Sequence, residues 1–170
     1  MYFTGTMNAS APAKQARFGW LRAPLQALLI GALLLFVPAH AEEKVPSPFL
    51  QEILIKTTLL TFNDANLTGN YMVLHAKLAK AFRDKVAPDR LKREFKVFVD
   101  QKIDIGVIAA MPSVASNEAK INAARGSLEL RGYFDTKPNR VTYELDFLPS
   151  EGQWKPALID VRIKPQSTTQ

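Results

Sequence analysis

Between Phe49 and Val99 apolar residues recur at the spacing of helices, and beyond Ile103 they alternate with polar ones at the spacing of strands. Phe49, Ile53, Thr57 and Leu60, widened by Leu50, Leu54 and Thr61, predict a first helix. The turn formers from Asn63 to Asn70 predict its end. A second helix is expected from Asn70 to Lys85, with Tyr71, Leu74, Leu78 and Phe82 buried. Pro88 suits the first turn of a third, whose apolar face is Leu91, Phe95, Phe98 and Val99.

The period then drops to two. A short strand is expected over Ile103–Ala110, followed by a polar connection from Met111 to Lys120. Leu128, Leu130 and Phe134 alternate with Glu129, Arg131, Tyr133 and Asp135, and Val141, Tyr143, Leu145 and Phe147 alternate with Thr142, Glu144 and Asp146. A one-residue slip would turn every side chain to the wrong face, so the apolar sets fix the register. Leu130 then faces Leu145, Phe134 faces Val141, Arg131 opposes Glu144, and Asp135 meets Arg140 across a loop holding Pro138 and Asn139. A second hairpin turns at Pro149–Gly152, with Gly152 at positive φ. Pairing Val161 and Ile163 with Tyr143 and Val141 requires an odd-length loop, and Pro156 belongs at a bulge or an unpaired edge. Trp154 falls on the opposite parity from Ile159 and Ile163 unless a bulge resets it. Gly126, Gly132 and Gly152 lack phosphate-binding spacing and read as bends and turns.

The N-terminal quarter has a different grammar. Lys14, Arg17 and Arg22 precede the apolar run Leu25–Val37, and Ala39-His40-Ala41 follows, the three parts of a secretory signal peptide. Met1 and Met7 are both candidate starts, and retention of the run as an anchor is the alternative to cleavage. The expected divisions are a signal over 1–41, a flexible lead-in over 42–48, a domain over 49–164 and a polar tail over 165–170. The three leader cations supply half of the formal charge of +6, and all 16 acidic residues lie beyond them. The remaining positive charge is spread along the chain and does not predict nucleic-acid binding. The absence of cysteine removes disulfides and a lipoprotein attachment site, so a periplasmic or secreted product without a membrane span is expected after cleavage.

Helices followed by an antiparallel meander make an α+β fold, with three N-terminal helices on a curved sheet of about four strands. Phe62-Asn63-Asp64-Ala65-Asn66, Thr68-Gly69-Asn70-Tyr71, the run Leu128–Phe134 with Thr136 and Pro138, Val141–Phe147 and Gly152-Gln153-Trp154 together resemble the nuclear transport factor 2-like (cystatin-like roll) superfamily. They are similar in particular to small exported bacterial members with no assigned activity. The resemblance implies a cone-shaped pocket between helices and sheet, and dimerisation through the sheet. Tyr71, Leu74, Leu78, Phe95, Leu130, Phe134, Tyr143, Leu145 and Ile159 would line the pocket.

Proton-transfer chemistry needs a titratable group held in a water-poor site. The inward set is Leu128, Leu130, Phe134, Val141, Tyr143, Leu145, Phe147, Ile159, Val161 and Ile163, with no acid and no histidine. Glu129, Asp135, Glu144, Asp146 and Asp160 lie on the other parity and are expected to be solvated. The sequence therefore predicts a non-enzymatic domain of the cell envelope that binds a small apolar ligand or a protein partner. The alternatives are a cofactor-free lyase or isomerase, for which Tyr71, His75, Tyr143 and Asp160 are the candidates, and a dimeric structural module. His75 alone, without cysteine, makes no metal-ligand set, and no cofactor is expected.

Overall fold

A computed structural model describes residues 44–165; the expected signal peptide with its expected cleavage site, and the last five residues, lie outside the described range. Helix α1 runs Pro48–Thr68, with Ser47 as its cap accepting a hydrogen bond from the Leu50 amide at 3.3 Å. It continues through the Asn63–Asn66 segment where a turn is expected. The two asparagine side chains find partners beyond the helix instead of competing with their own backbone. Asn63 accepts from the Ile105 amide at 2.9 Å and donates to Asp104 at 3.0 Å, and Asn66 accepts from the Tyr71 hydroxyl. The helix stops at Gly69, whose φ of 68° is the left-handed cap that glycine adopts without strain. The buried face is also shifted. Ile55, Leu59, Phe62 and Ala65 are buried, whereas Phe49 is 76% exposed and Leu50 and Ile53 are exposed. Apolar residues surround this helix on most sides, so their spacing alone does not select the face that meets the sheet.

The second expected helix is interrupted. It forms α2 (Met72–Lys77) and α3 (Lys80–Arg83), with Leu78 and Ala79 extended between them. The freed Ala79 amide donates to the Pro156 carbonyl at 2.9 Å, and the Lys80 amide donates to the Ser150 hydroxyl at 3.0 Å, so strand partners replace the helical ladder. Tyr71, Leu74 and Leu78 are buried, but Phe82 is exposed. The third helix divides at Phe95 into α4 (Pro88–Glu94) and α5 (Lys96–Asp100), with Pro88 in its first turn. Phe95 and Phe98 meet Phe62 edge-on, at ring centroids 4.8 and 4.9 Å apart.

The strand expected at Ile103–Ala110 is not formed. Gly106–Ala110 is a 3-10 helix, in which side chains three apart eclipse; Ile105 and Ile108 both point inward and Val107 is exposed. The connection after it holds two short strands, β1 (Val114–Ala115) and β2 (Lys120–Asn122). With β3 (Ser127–Phe134), β4 (Asn139–Ser150) and β5 (Gln153–Pro165) they make a five-stranded antiparallel sheet, with β1 and β2 both pairing with β3. The protein is therefore α+β, its helices packed before the sheet. The β3–β4 register is the expected one, Leu130 opposite Leu145 and Phe134 opposite Val141, and Arg140 pairs with Asp135 at 2.8 Å.

The β4–β5 hairpin reaches the expected partners by another route. The turn has two residues, Glu151 and Gly152, both at positive φ, as in a type I′ hairpin. The odd residue is Ala157, bulged between Leu158, opposite Asp146, and Pro156, opposite Phe147. The bulge returns Trp154 to the inner face, where it packs against the core.

Candidate functional site

The helix break and the β-bulge meet through the Ala79–Pro156 hydrogen bond, and beside them a cleft of about 570 Å³ opens. Leu74 and Leu78 from the end of α2, Phe82 from α3, Val86, and Leu91 and Phe95 around α4 form one wall. Ala157, Leu158 and Ile159 of β5 form the other, and the remaining lining side chains, Lys85, Arg90 and Glu94, are charged and exposed. A concave, mainly apolar site of this size with a few polar groups is the usual form of a small-molecule pocket.

A smaller recess of about 200 Å³ lies where α1, the segment before β1 and strands β3 and β4 converge. Glu52 accepts from the Ser113 amide at 3.2 Å and from the Ser113 hydroxyl, and pairs with Lys56 at 3.3 Å. Lys56 also donates to the Ala109 carbonyl at 3.3 Å, so this polar cluster fastens the 109–113 segment to α1. Burial pushes the Glu52 carboxyl up, but the Ser113 hydrogen bonds and Lys56 outweigh it and leave it below its ordinary value. Burial pushes the Tyr143 phenol up, against a smaller opposing contribution from the Ser113 hydroxyl. At neutral pH the recess holds a carboxylate and a protonated phenol, both moved away from the range in which they would exchange protons. Sequence reading missed Glu52 and Ser113. The i,i+4 spacing of Glu52 and Lys56 was visible, but it pointed to this site only once the inward face of α1 was known.

Of the residues expected in the pocket, Leu74, Leu78, Phe95 and Ile159 line the cleft, and Leu130 and Tyr143 line the recess. Tyr71, Phe134 and Leu145 are buried and line neither. The four acid–base candidates are dispersed. The Tyr71 hydroxyl donates to Asn66, and its ring stacks on Phe95 at 6.4 Å. His75 Nε2 lies 3.1 Å from the Arg83 carbonyl. Asp160 sits across from Glu144 on the outer face and pairs with Arg162. None of the four lines the cleft, and Tyr143 alone lines the recess.

The outer face corrects one expectation. Glu129 and Asp146, directly opposed across β3 and β4, are buried rather than solvated. Like charges so placed repel, and the arginines around them compensate. Arg125 reaches Glu129 at 2.7 Å and Asp146 at 3.5 Å, while Arg131 holds Asp146 at 2.5 Å. The Asn122 amide group, against the cost of burial and with help from Arg125 and Lys120, brings the Glu129 carboxyl down to about 2. Among the described residues no cluster of His, Cys, Asp and Glu could hold a metal ion, and no helix is long and apolar enough to cross a membrane. No family model matches this chain, and neither a curated protein nor a solved structure matches it significantly.

Proposed function

We propose that this protein is an exported, non-enzymatic binding domain of the bacterial cell envelope, built as a nuclear transport factor 2-like roll, that holds a small apolar ligand in the cleft between α2–α4 and β5. The observation carrying this reading is the cleft itself. It has buried Leu74, Leu78 and Leu91 in its walls and no histidine or tyrosine in its lining, and its one lining acid, Glu94, is exposed and paired with Arg90. The dispersal of Tyr71, His75, Tyr143 and Asp160 supports binding over catalysis, because proton transfer requires partners within hydrogen-bond reach of one reacting atom. The recess supports the same conclusion, since its carboxyl and phenol are both shifted away from neutrality.

Titration with the neutral fluorophore N-phenyl-naphthylamine tests the reading. Saturable enhancement is expected with the native chain and loss of it with Ala157→Trp, which fills the cleft at the bulge while leaving the far-ultraviolet circular dichroism unchanged. Equal enhancement by the two proteins would refute it. A dimer formed through the outer face of the sheet is the competing arrangement, and light scattering across a concentration series separates it from a monomer.

A further inference from the structure

We propose that the ligand of this cleft is a monomeric anionic amphiphile, a hydrocarbon chain ending in a single carboxylate or phosphate, with its head at Lys85 and Arg90. The proposal rests on the cleft being a ligand site and adds the chemical class of the ligand. The lining of the cleft divides by exposure into an apolar buried part and a charged exposed part. Its inner wall is Leu74, Leu78 and Leu91, all buried, and its mouth is edged by Phe82 and Leu158, 43% and 42% exposed. The charged side chains that line it, Lys85, Arg90 and Glu94, are all exposed to solvent.

Those charges are unbalanced. Some helix cations are matched, Lys80 by Asp84 at 2.5 Å, Arg83 by Glu151 at 3.1 Å and Lys96 by Asp100, whereas Lys92 and Arg93 on α4 are, like Lys85, without an ion pair among the described residues. Lys85 has no carboxylate within ion-pair distance among the described residues, and Arg90 meets Glu94 only at 3.6 Å with both side chains largely exposed. An exposed pair of that kind is weak and readily exchanged for another anion. The mouth therefore offers an excess cation beside an apolar cleft, which suits a ligand with one anionic end and an apolar body. A neutral hydrocarbon would leave that charge unused, and a dianionic or polar body would be stripped of water against leucine.

Calorimetric titration of the full chain with decanoate, below its micelle concentration, and with decanol, below its solubility limit, tests the headgroup. Decanoate should bind about fivefold more tightly than decanol, the difference two exposed cations supply. The preference should vanish in the Lys85→Gln/Arg90→Gln double variant, and it should shrink as salt rises. Equal affinities, or a preference that survives in the double variant, would overturn the headgroup assignment and leave the apolar site standing. Failure of both ligands to bind would remove the site itself. Sedimentation with phosphatidylglycerol vesicles without saturable decanoate binding would assign the cations to a bilayer surface and overturn the proposal.

Discussion

Gly132→Ala should destabilise this protein by far more than its chemistry suggests. Gly132 lies on the inner face of β3, directly opposite Tyr143 on β4 and Ala115 on β1. A Cβ there would stand 2.4 Å from the Tyr143 hydroxyl, 2.7 Å from its Cζ and 2.4 Å from the Val114 carbonyl oxygen. Replacing a strand glycine by alanine ordinarily gains roughly 0.5–1 kcal/mol of backbone entropy. Overpacking costs about 1–3 kcal/mol or more, and here neither neighbour yields easily. The phenol is 1% exposed, and Val114 O belongs to a backbone paired with β3. A net loss of about 2 kcal/mol follows, measured by urea denaturation with the slope compared to detect a change in compactness. Gly106→Ala is a milder comparison, since its Cβ would meet at 3.0 Å only the Asp104 carboxylate, a side-chain end held by the Asn63 amide group and the Gly106 amide. The clash also predicts coupling. Tyr143→Leu removes both phenol contacts, so it should cost at least about 1 kcal/mol less in the Gly132→Ala background than in the native one. A Gly132→Ala loss below about 0.5 kcal/mol with unchanged slope, or an additive pair, would refute this account of the recess.

Two further outcomes follow from side chains the helices position. Asn63→Ala leaves the buried Ile105 amide without its acceptor and should cost about 2 kcal/mol, with faster exchange of that amide in deuterated solvent; native protection in the variant would contradict it. Glu129 and Glu151 both have folded pKa values lowered from 4.5 to about 2, the first chiefly by Asn122 and the second chiefly by Arg83. A depressed carboxyl contributes stability above its unfolded value and loses it as pH falls through the folded one. Stability should therefore decline from about pH 4.5 toward pH 2, and the decline should be shallower in Glu129→Gln when thermal unfolding is followed across that range.

The hairpin of β3 and β4 was legible because two independent signals, apolar alternation and the Arg131–Glu144 and Asp135–Arg140 charge pairs, agree on one register. The helices were less so. In α1 the apolar positions encircle the axis, so the face turned inward is chosen by Asn63 and Asn66 reaching partners distant or beyond the helix end, which no local period encodes. Between Ile103 and Ala110 the residues satisfy period two and period three equally, and the 3-10 form wins by burying Ile105 and Ile108 together. Glu129 and Asp146 carried the right parity but the wrong environment, because the Arg125 that encloses them comes from the turn between β2 and β3.

The cleft was hidden for a related reason. It is bounded by two departures from regular structure, joined by the Ala79–Pro156 hydrogen bond. An unbroken helix over 70–85 would keep the Ala79 amide in its own ladder and leave the Pro156 carbonyl without that donor. A regular β5 without the Ala157 bulge would put Trp154 and Pro156 on the face away from the core, and no acceptor would meet Ala79. Proline at 156 removes one ladder donor and favours the bulge, while the extended backbone at Leu78 and Ala79 turns α3 away from α2. Phe82 is then carried from the expected core position to the mouth of the cleft. An apolar residue that fails to bury at its expected helical position is the local sign of this arrangement. Its partner is a proline in a strand some seventy residues later.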